Sequence, residues 1–545
     1  MRDPGKRHFD LLKVMIASLV VALIIVGCAA PSTTGGTAAE ATQAEGQEAG
    51  AVDQEPIVIL TTGELVSMDP MYTQSDATIN HNLFQTLMFF NDKEELVPMV
   101  AESLEPLDEL TWEIKLKQGY TFWNGTPVDA DAVVFTFERG QRLFEAGEGD
   151  VTFGFNQLNM ASIEKIDDYT VHFTTNTPDP GTPIHLAAIE TSLLEPAYYT
   201  EHDPEYTGRN PMGSGPYKFV EYVPGERVVF EAYEDYLDGP AQIKNVIVRP
   251  VPELATRVNE LKAGNADVIS NVTPDLFPEI EATEGIGVVT TPGMTRVFVS
   301  IKQPRHPATA DVRVRQAMNY AVNKEAMIQS LLGDHAHASA DILNPPRQNP
   351  DLRSYPYDPE KAAELLDEAG WVLGDDGVRV KDGVRLSLEM DSANGRQLFD
   401  KEMSQIIISD LEKVGIEIAD YRALEWSIVS EMRRNQGEGY RDLMFMTSGA
   451  DYNCHDDLLL VQADSGSNRA SWNDPVFEEK YAVMAQNFDA EEQLKQCWEL
   501  EQYAVDQAPQ IFIYIQPSFW GVSDRIHWNG RPDNRDWWYG ASYNQ

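Results

Sequence analysis

The sequence predicts an α/β fold, and three local patterns carry that expectation. Leu254, Val258 and Leu261 recur at helical spacing, Gly264 stops the helix, and Ala266-Asp267-Val268-Ile269 follows as a short strand. Thr111 to Leu116 alternates like a strand, Asn124-Gly125-Thr126-Pro127 turns the chain, and a helix follows with Asp129 or Asp131 near its start and Val133, Val134 and Phe137 on one face. Capped helices with apolar stripes recur downstream, at Asp311 and at Asp358, so helices and strands alternate along the body of the chain.

The N-terminus is an address rather than part of that body. Arg2, Lys6, Arg7 and Lys13 form a basic leader, Val14 to Val26 is apolar apart from Ser18, and Gly27 supplies a small residue before Cys28. This is the layout of a signal peptide over 1–27. A membrane-spanning helix needs about 20 apolar residues, and the run stops short of that. Ile25-Val26-Gly27-Cys28 resembles a bacterial lipobox, which implies that the Cys28 thiol carries a lipid and becomes the mature N-terminus; two or more acyl chains anchor stably where one does not. Residues 28–55 read as a flexible tether, since from Ala29 to about Gln54 the chain is mostly Ala, Thr, Gly, Glu, Gln and Ser without apolar periodicity, a composition that buries no core.

Along the body, Pro56 to Thr61 reads as a buried strand, followed by a turn over Glu64 to Pro70 and a helical stretch from Asn80 to Leu87. Ile163 to Phe173 and Arg227 to Tyr233 alternate like strands. Pro211-Met212-Gly213-Ser214-Gly215-Pro216-Tyr217 lies between them and demands a special backbone path. Asp311 is placed to cap one long helix carrying Val314, Ala317, Met318 and Ala321 and ended by Gly333. Asp358 caps another, with Pro359 in its first turn, Ala362, Leu365, Leu366 and Ala369 in its stripe, and Gly370 closing it. Ile511 to Ile515 returns the end of the chain to a central sheet.

The chain has 545 residues, 42% hydrophobic and 10% aromatic, enough for two or three domains with real cores. Its formal charge of -45, from 87 acidic and 42 basic residues, disfavours a nucleic-acid partner, which needs clustered Lys and Arg. Besides Cys28 there are Cys454 and Cys497, which in an exported protein either form a disulfide or remain as two buried thiols.

Several stretches, in order, resemble one family: Ser67-Met68-Asp69-Pro70, the Trp112 to Val134 block around Trp123-Asn124-Gly125-Thr126-Pro127, Pro211 to Tyr217, Ala263-Gly264-Asn265-Ala266-Asp267, Asp311-Val312-Arg313-Val314-Arg315-Gln316-Ala317, and Tyr357 to Trp371. The set resembles the family 5 extracellular solute-binding proteins, the peptide, oligopeptide and nickel receptors of ABC importers. That resemblance implies a two-lobed periplasmic-binding-protein-like α/β fold (class II, three-domain cluster C type) around a deep interlobe cleft. It implies a discontinuous N-terminal lobe of 56–93, 210–298 and 505–545, an inserted domain at 94–209, and a C-terminal lobe at 299–504. Solute binding between the lobes would drive hinge closure.

The family's ligand loop matches Ser448-Gly449-Ala450-Asp451-Tyr452-Asn453, so the resemblance implies that Asp451 pairs with a peptide's amino terminus, a charge-assisted contact. Tyr452 belongs to that loop, and Trp426 matches a position that lines side-chain pockets. Arg433, with Arg434 and Arg441, has the chemistry to hold a carboxylate bidentately. Each also has an ordinary structural reading: a loop-capping Asp, a core tryptophan, surface arginines. The loop departs from the family in Thr447-Ser448 before it and Cys454-His455-Asp456-Asp457 after it. That run, and Asp334 with His335 and His337, contain metal-capable groups without the spacing of a closed zinc site, and neither metal nor cofactor is expected.

No His-Glu-x-x-His or Gly-x-Ser-x-Gly is present, so no catalytic residue is assigned. The expectation is a monomeric, lipid-anchored receptor at the outer face of the cytoplasmic membrane that hands peptides to an ABC permease. The alternatives are a receptor for an oligosaccharide, opine or metal chelate on the same scaffold, a surface chemoreceptor or adhesion partner, and, more remotely, a secreted hydrolase.

Overall fold

The computed structural model describes residues 55–545 except 64, 66, 73–76, 92, 150, 303–304, 346, 395–396, 435–438, 450–452, 460, 462–471, 534 and 545, and only the backbone of 77, 78, 152, 153, 427, 430, 433 and 434. Cys28, Asp451 and Tyr452 therefore lie outside the described residues.

Among the described residues, ten strands form one mixed sheet in the order Glu417–Leu424, Ser387–Ala393, Leu443–Ser448, Ile286–Ile301, Gln510–Ser523, Val268–Ser270, Ile57–Thr61, Asn245–Pro250, Arg227–Ala232 and Tyr217–Val223. Ile57–Thr61 runs parallel to both of its neighbours, and so does Ser387–Ala393. Each of these parallel pairs needs a helical crossover, which is why helices interleave with strands in the sequence. At the centre, Ile286–Ile301 and Gln510–Ser523 pair antiparallel over most of their length, with a register break between Thr291 and Thr295. Gly293 sits in that break, where a Cβ would meet the Gln516 carbonyl oxygen at 1.5 Å, so only glycine lets the strands approach so closely.

These two long strands join two hydrophobic cores. One is built mainly between Ile57 and Val248 and extends to Trp520, Trp528 and Trp538; the other is built mainly between Val258 and Phe445 and extends to Ile511 and Phe519. A separate four-stranded antiparallel sheet, Ala101–Pro106, Thr111–Leu116, Thr170–Thr175 and Met160–Asp167, packs against the helix Ala130–Ala146 and contributes to the first core. Asp129 caps that helix by accepting from the Asp131 and Ala132 N–H groups, and Asp131 lies in its first turn.

Three expectations need correction. The first helix is Ala77–Leu83 rather than 80–87, because the carbonyls beyond it are taken by distant partners: Leu83 O accepts from Gly215 N, Gln85 O from Leu193 N and Leu87 O from Met99 N. The run from Ile163 to Phe173 is a hairpin rather than one strand, and Asp167 Oδ1 takes the Tyr169 N–H at its turn. The helix begun at Asp311 is two helices, Val312–Ala321 and Lys324–Leu332. Asn323 caps the second, and its own N–H is held by Asp410 Oδ2 at 2.9 Å. No described helix is long and apolar enough to cross a membrane.

Candidate functional site

The cleft has two walls. The first is held together by buried polar contacts and close backbone approaches. Asp69, fully buried, accepts from Arg139 Nη2 at 2.9 Å, Thr207 Oγ1 at 2.7 Å and Met71 N at 3.0 Å, while the Arg139 guanidinium lies over the Tyr72 and Tyr199 rings. Trp123 N and Nε1 donate to the Gly213 and Gly215 carbonyls, and a Cβ on Gly213 would meet Leu83 O at 1.9 Å. The Asp69, Trp123 and Gly213 motifs are thus parts of one buried joint. On this wall the short helix Thr182–His185 carries His185, with Asp179 just before it; both are buried.

The second wall follows the strand Leu443–Ser448. Residues 449–453 lead from it into the helix Cys454–Leu459, where Asn453 Oδ1 accepts from Asp456 N. Cys454 and Cys497 are joined in a disulfide, Cα to Cα 6.1 Å, which pins this helix to Ala490–Gln507. Asp457, fully buried, accepts from Asn344 N at 3.0 Å and Asn344 Nδ2 at 2.8 Å. Glu501 Oε1 takes the Ile342 and Leu343 N–H groups at 2.7 and 2.9 Å. Burial nevertheless pushes the Glu501 carboxyl up to about 7, against the pull of those two N–H groups.

The walls meet at His185. Its Nε2 lies 3.0 Å from Asp456 Oδ2 and 3.3 Å from Oδ1, although the residues are 271 apart in sequence. Its Nδ1 is 3.2 Å from Asp179 Oδ2. Burial lowers the His185 pKa, but the Asp456 charge and the contacts to Asp179 and Asp456 outweigh it and hold the imidazole up at about 10. Burial acts upward on Asp456, yet His185 and His455 hold its carboxyl well below the usual range. Nearby, Trp112 of the first wall stacks on Phe488 of the second at 6.5 Å between ring centroids.

The residues singled out from sequence are only partly placed. Trp426 opens the helix Trp426–Arg434 and is partly buried against a small cluster of Phe298, Ala393, Val429, Met444 and Met446. Arg433 lies on the same helix, and its side chain is outside the described residues, as is that of Arg434. Arg441 is engaged by Asp420 at 2.6 Å, with Asp391 and Glu389 at 3.6 and 3.7 Å. His335 packs edge-on to Phe277 and Phe519. Sequence reasoning missed His185 and Asp179 altogether. The run at 454–457 was visible, but its partners lie too far away for any spacing rule.

Residues 95–469 match the model of the bacterial extracellular solute-binding proteins, family 5. The chain belongs to that family. It is similar to the oligopeptide-binding protein AppA of Bacillus subtilis, 24% identical over 557 residues, which span 98% of this chain and 99% of that protein. It is also similar to the heme-binding protein A of Haemophilus influenzae, 26% identical over 86% of this chain and 88% of the other. The solved structure of Bacillus subtilis AppA in complex with a nonapeptide superposes with a TM-score of 0.79 at 22% identity, covering 90% of this chain and 99% of that one. The two-lobed α/β fold around a cleft is therefore that of the family.

Proposed function

We propose that this solute-binding protein captures peptides between its two walls and delivers them to the membrane subunits of an ABC importer. The observation that carries the peptide reading is the similarity to AppA along essentially the whole of both chains, rather than over one domain. Within that reading Asp451 takes the peptide's amino terminus. A desolvated carboxylate facing an ammonium group is a strong, directional contact. Tyr452, Trp426 and Arg433 form the remainder of the proposed contact set.

Cys28 is proposed as the lipidated N-terminus that tethers the monomer outside the cytoplasmic membrane, with 28–55 giving it reach. The lobes are proposed as 56–93 with 210–298 and 505–545, the insertion as 94–209, and the second lobe as 299–504. The two long central strands passing between two cores support a hinge there. A heme-like or other non-peptide solute is the second reading, favoured by the similarity to the heme-binding protein of Haemophilus influenzae.

Calorimetric titration with short peptides tests the leading reading. The wild-type protein should bind at one site, and Asp451→Ala should lose at least about tenfold in affinity, the loss of one charge-assisted contact. Unchanged peptide affinity in Asp451→Ala would remove Asp451 from the site.

A further inference from the structure

We propose that His185, His455 and Asp456 form a binding site for a divalent transition-metal ion of the zinc type, oriented by Asp179, which clasps the two walls of the cleft together. The three residues each offer a ligand atom, and these atoms lie within 4.8 Å of one another. His185 Nε2 is 3.0 Å from Asp456 Oδ2, and His455 Nδ1 is 3.0 Å from Asp456 Oδ1. In a tetrahedral zinc site with bonds of about 2.0–2.2 Å, neighbouring donors stand roughly 3.3–3.6 Å apart. The two 3.0 Å contacts to Asp456 fall short of that spacing by about 0.3–0.6 Å. Two imidazoles and one carboxylate suit zinc and its neighbours better than magnesium or calcium, and leave a fourth position for water.

The surroundings would also hold such an ion in place. Asp179 Oδ2 stands 3.2 Å from His185 Nδ1, on the opposite side of the ring from Asp456, as a carboxylate does when it orients a metal-bound histidine. That carboxylate is itself fixed by the Gly181 N–H at 2.8 Å and the Thr182 hydroxyl at 3.2 Å. The Asn453 side-chain amide donates to Asp456 Oδ2, and Asn453 Oδ1 accepts from Asp456 N, so the carboxylate is aimed as well.

One polar atom at the cluster, the Tyr481 hydroxyl, whose ring stacks on His455 at 5.1 Å, is buried without a hydrogen-bond partner, and His185 Nδ1 has only its 3.2 Å contact to Asp179. Buried polar atoms left without partners are uncommon and call for an explanation. A bound ion with its water would supply one, by drawing His185 into line with Asp179 and giving the Tyr481 hydroxyl a neighbour. His185 stands beside the first core and the helix Cys454–Leu459 belongs to another hydrophobic cluster, so such an ion would favour the conformation in which the walls touch.

The test is titration of Zn2+ into the full chain stripped with chelator, with Co2+ absorption as a second readout. The expected result is one saturable ion per chain, a higher melting temperature with Zn2+, and a tetrahedral cobalt spectrum. His185→Gln should weaken Zn2+ binding by more than about 100-fold, since an outer partner alone is worth about 10- to 100-fold. His455→Gln, at a more exposed position, should weaken it comparably while the circular dichroism spectrum stays wild type. The double variant His335→Gln, His337→Gln should bind within twofold of wild type. Absence of stoichiometric binding would overturn the proposal, and so would binding that survives both His185→Gln and His455→Gln, which would place the ions on the acidic surface.

Discussion

The wall that carries His185 is continuous with one large hydrophobic core, whereas the helix that carries Asp456 belongs to a small cluster held by polar and covalent ties. In the first, a buried ion pair and glycine-enabled backbone contacts join segments from Asp69 to Gly215. In the second, a disulfide, Glu501 and the Asp457–Asn344 contacts position the helix that follows the proposed ligand loop. The difference is one of task. A receptor needs one face that does not move and one that can be varied for a new solute without unfolding the rest, and small, locally stapled clusters permit that variation.

The largest expected effect is on the first wall. Arg139→Met strands the Asp69 carboxylate in the core and should cost about 3–5 kcal/mol of stability in a denaturant titration, the range for breaking a buried pair from one side. Solute affinity of the folded fraction should stay within twofold. A large loss of affinity there would break the comparison.

Next comes the disulfide on the second wall. Replacing Cys454 and Cys497 by Ser together should cost about 4 kcal/mol, the scale expected for releasing a loop closed over 43 residues. Here solute affinity should fall along with stability, because Cys454 opens the helix directly after the loop. If affinity holds, the staple serves the fold alone.

The smallest effect is the pH dependence of Glu501. Its folded pKa is raised to about 7 by burial, above the 4.5 of the free side chain. The unfolded chain therefore gives up its proton first as pH rises. The stabilising contribution is full below about 4.5, is lost as pH climbs through 7, and is absent above that. Melting curves between pH 5 and 8 should show wild type losing ground to Glu501→Gln as pH rises, and parallel curves would contradict this.

What the sequence made legible follows the range of the interactions. Helix caps at Asp129, Asp311 and Asp358 were readable because cap and partner are neighbours, and all three accept the expected N–H groups. The break at Asn323 was not, because Asp410, 87 residues away, decides it. The motif around Asp69 was recognisable as a family mark, but its physical reason, Arg139, lay 70 residues off. The run at 454–457 was noted for its chemistry and set aside for its spacing, and the residue that completes it, His185, sits in a stretch with no distinguishing pattern. For the proposed ligand loop the sequence remains the source, since Asp451 and Tyr452 lie outside the described residues.

The central claim, that a peptide is held between the walls, is tested most directly by native mass spectrometry of the protein purified from its own cells. The account predicts retained masses that denaturation releases as short peptides. A retained heme, sugar or metal chelate with no peptide would contradict it.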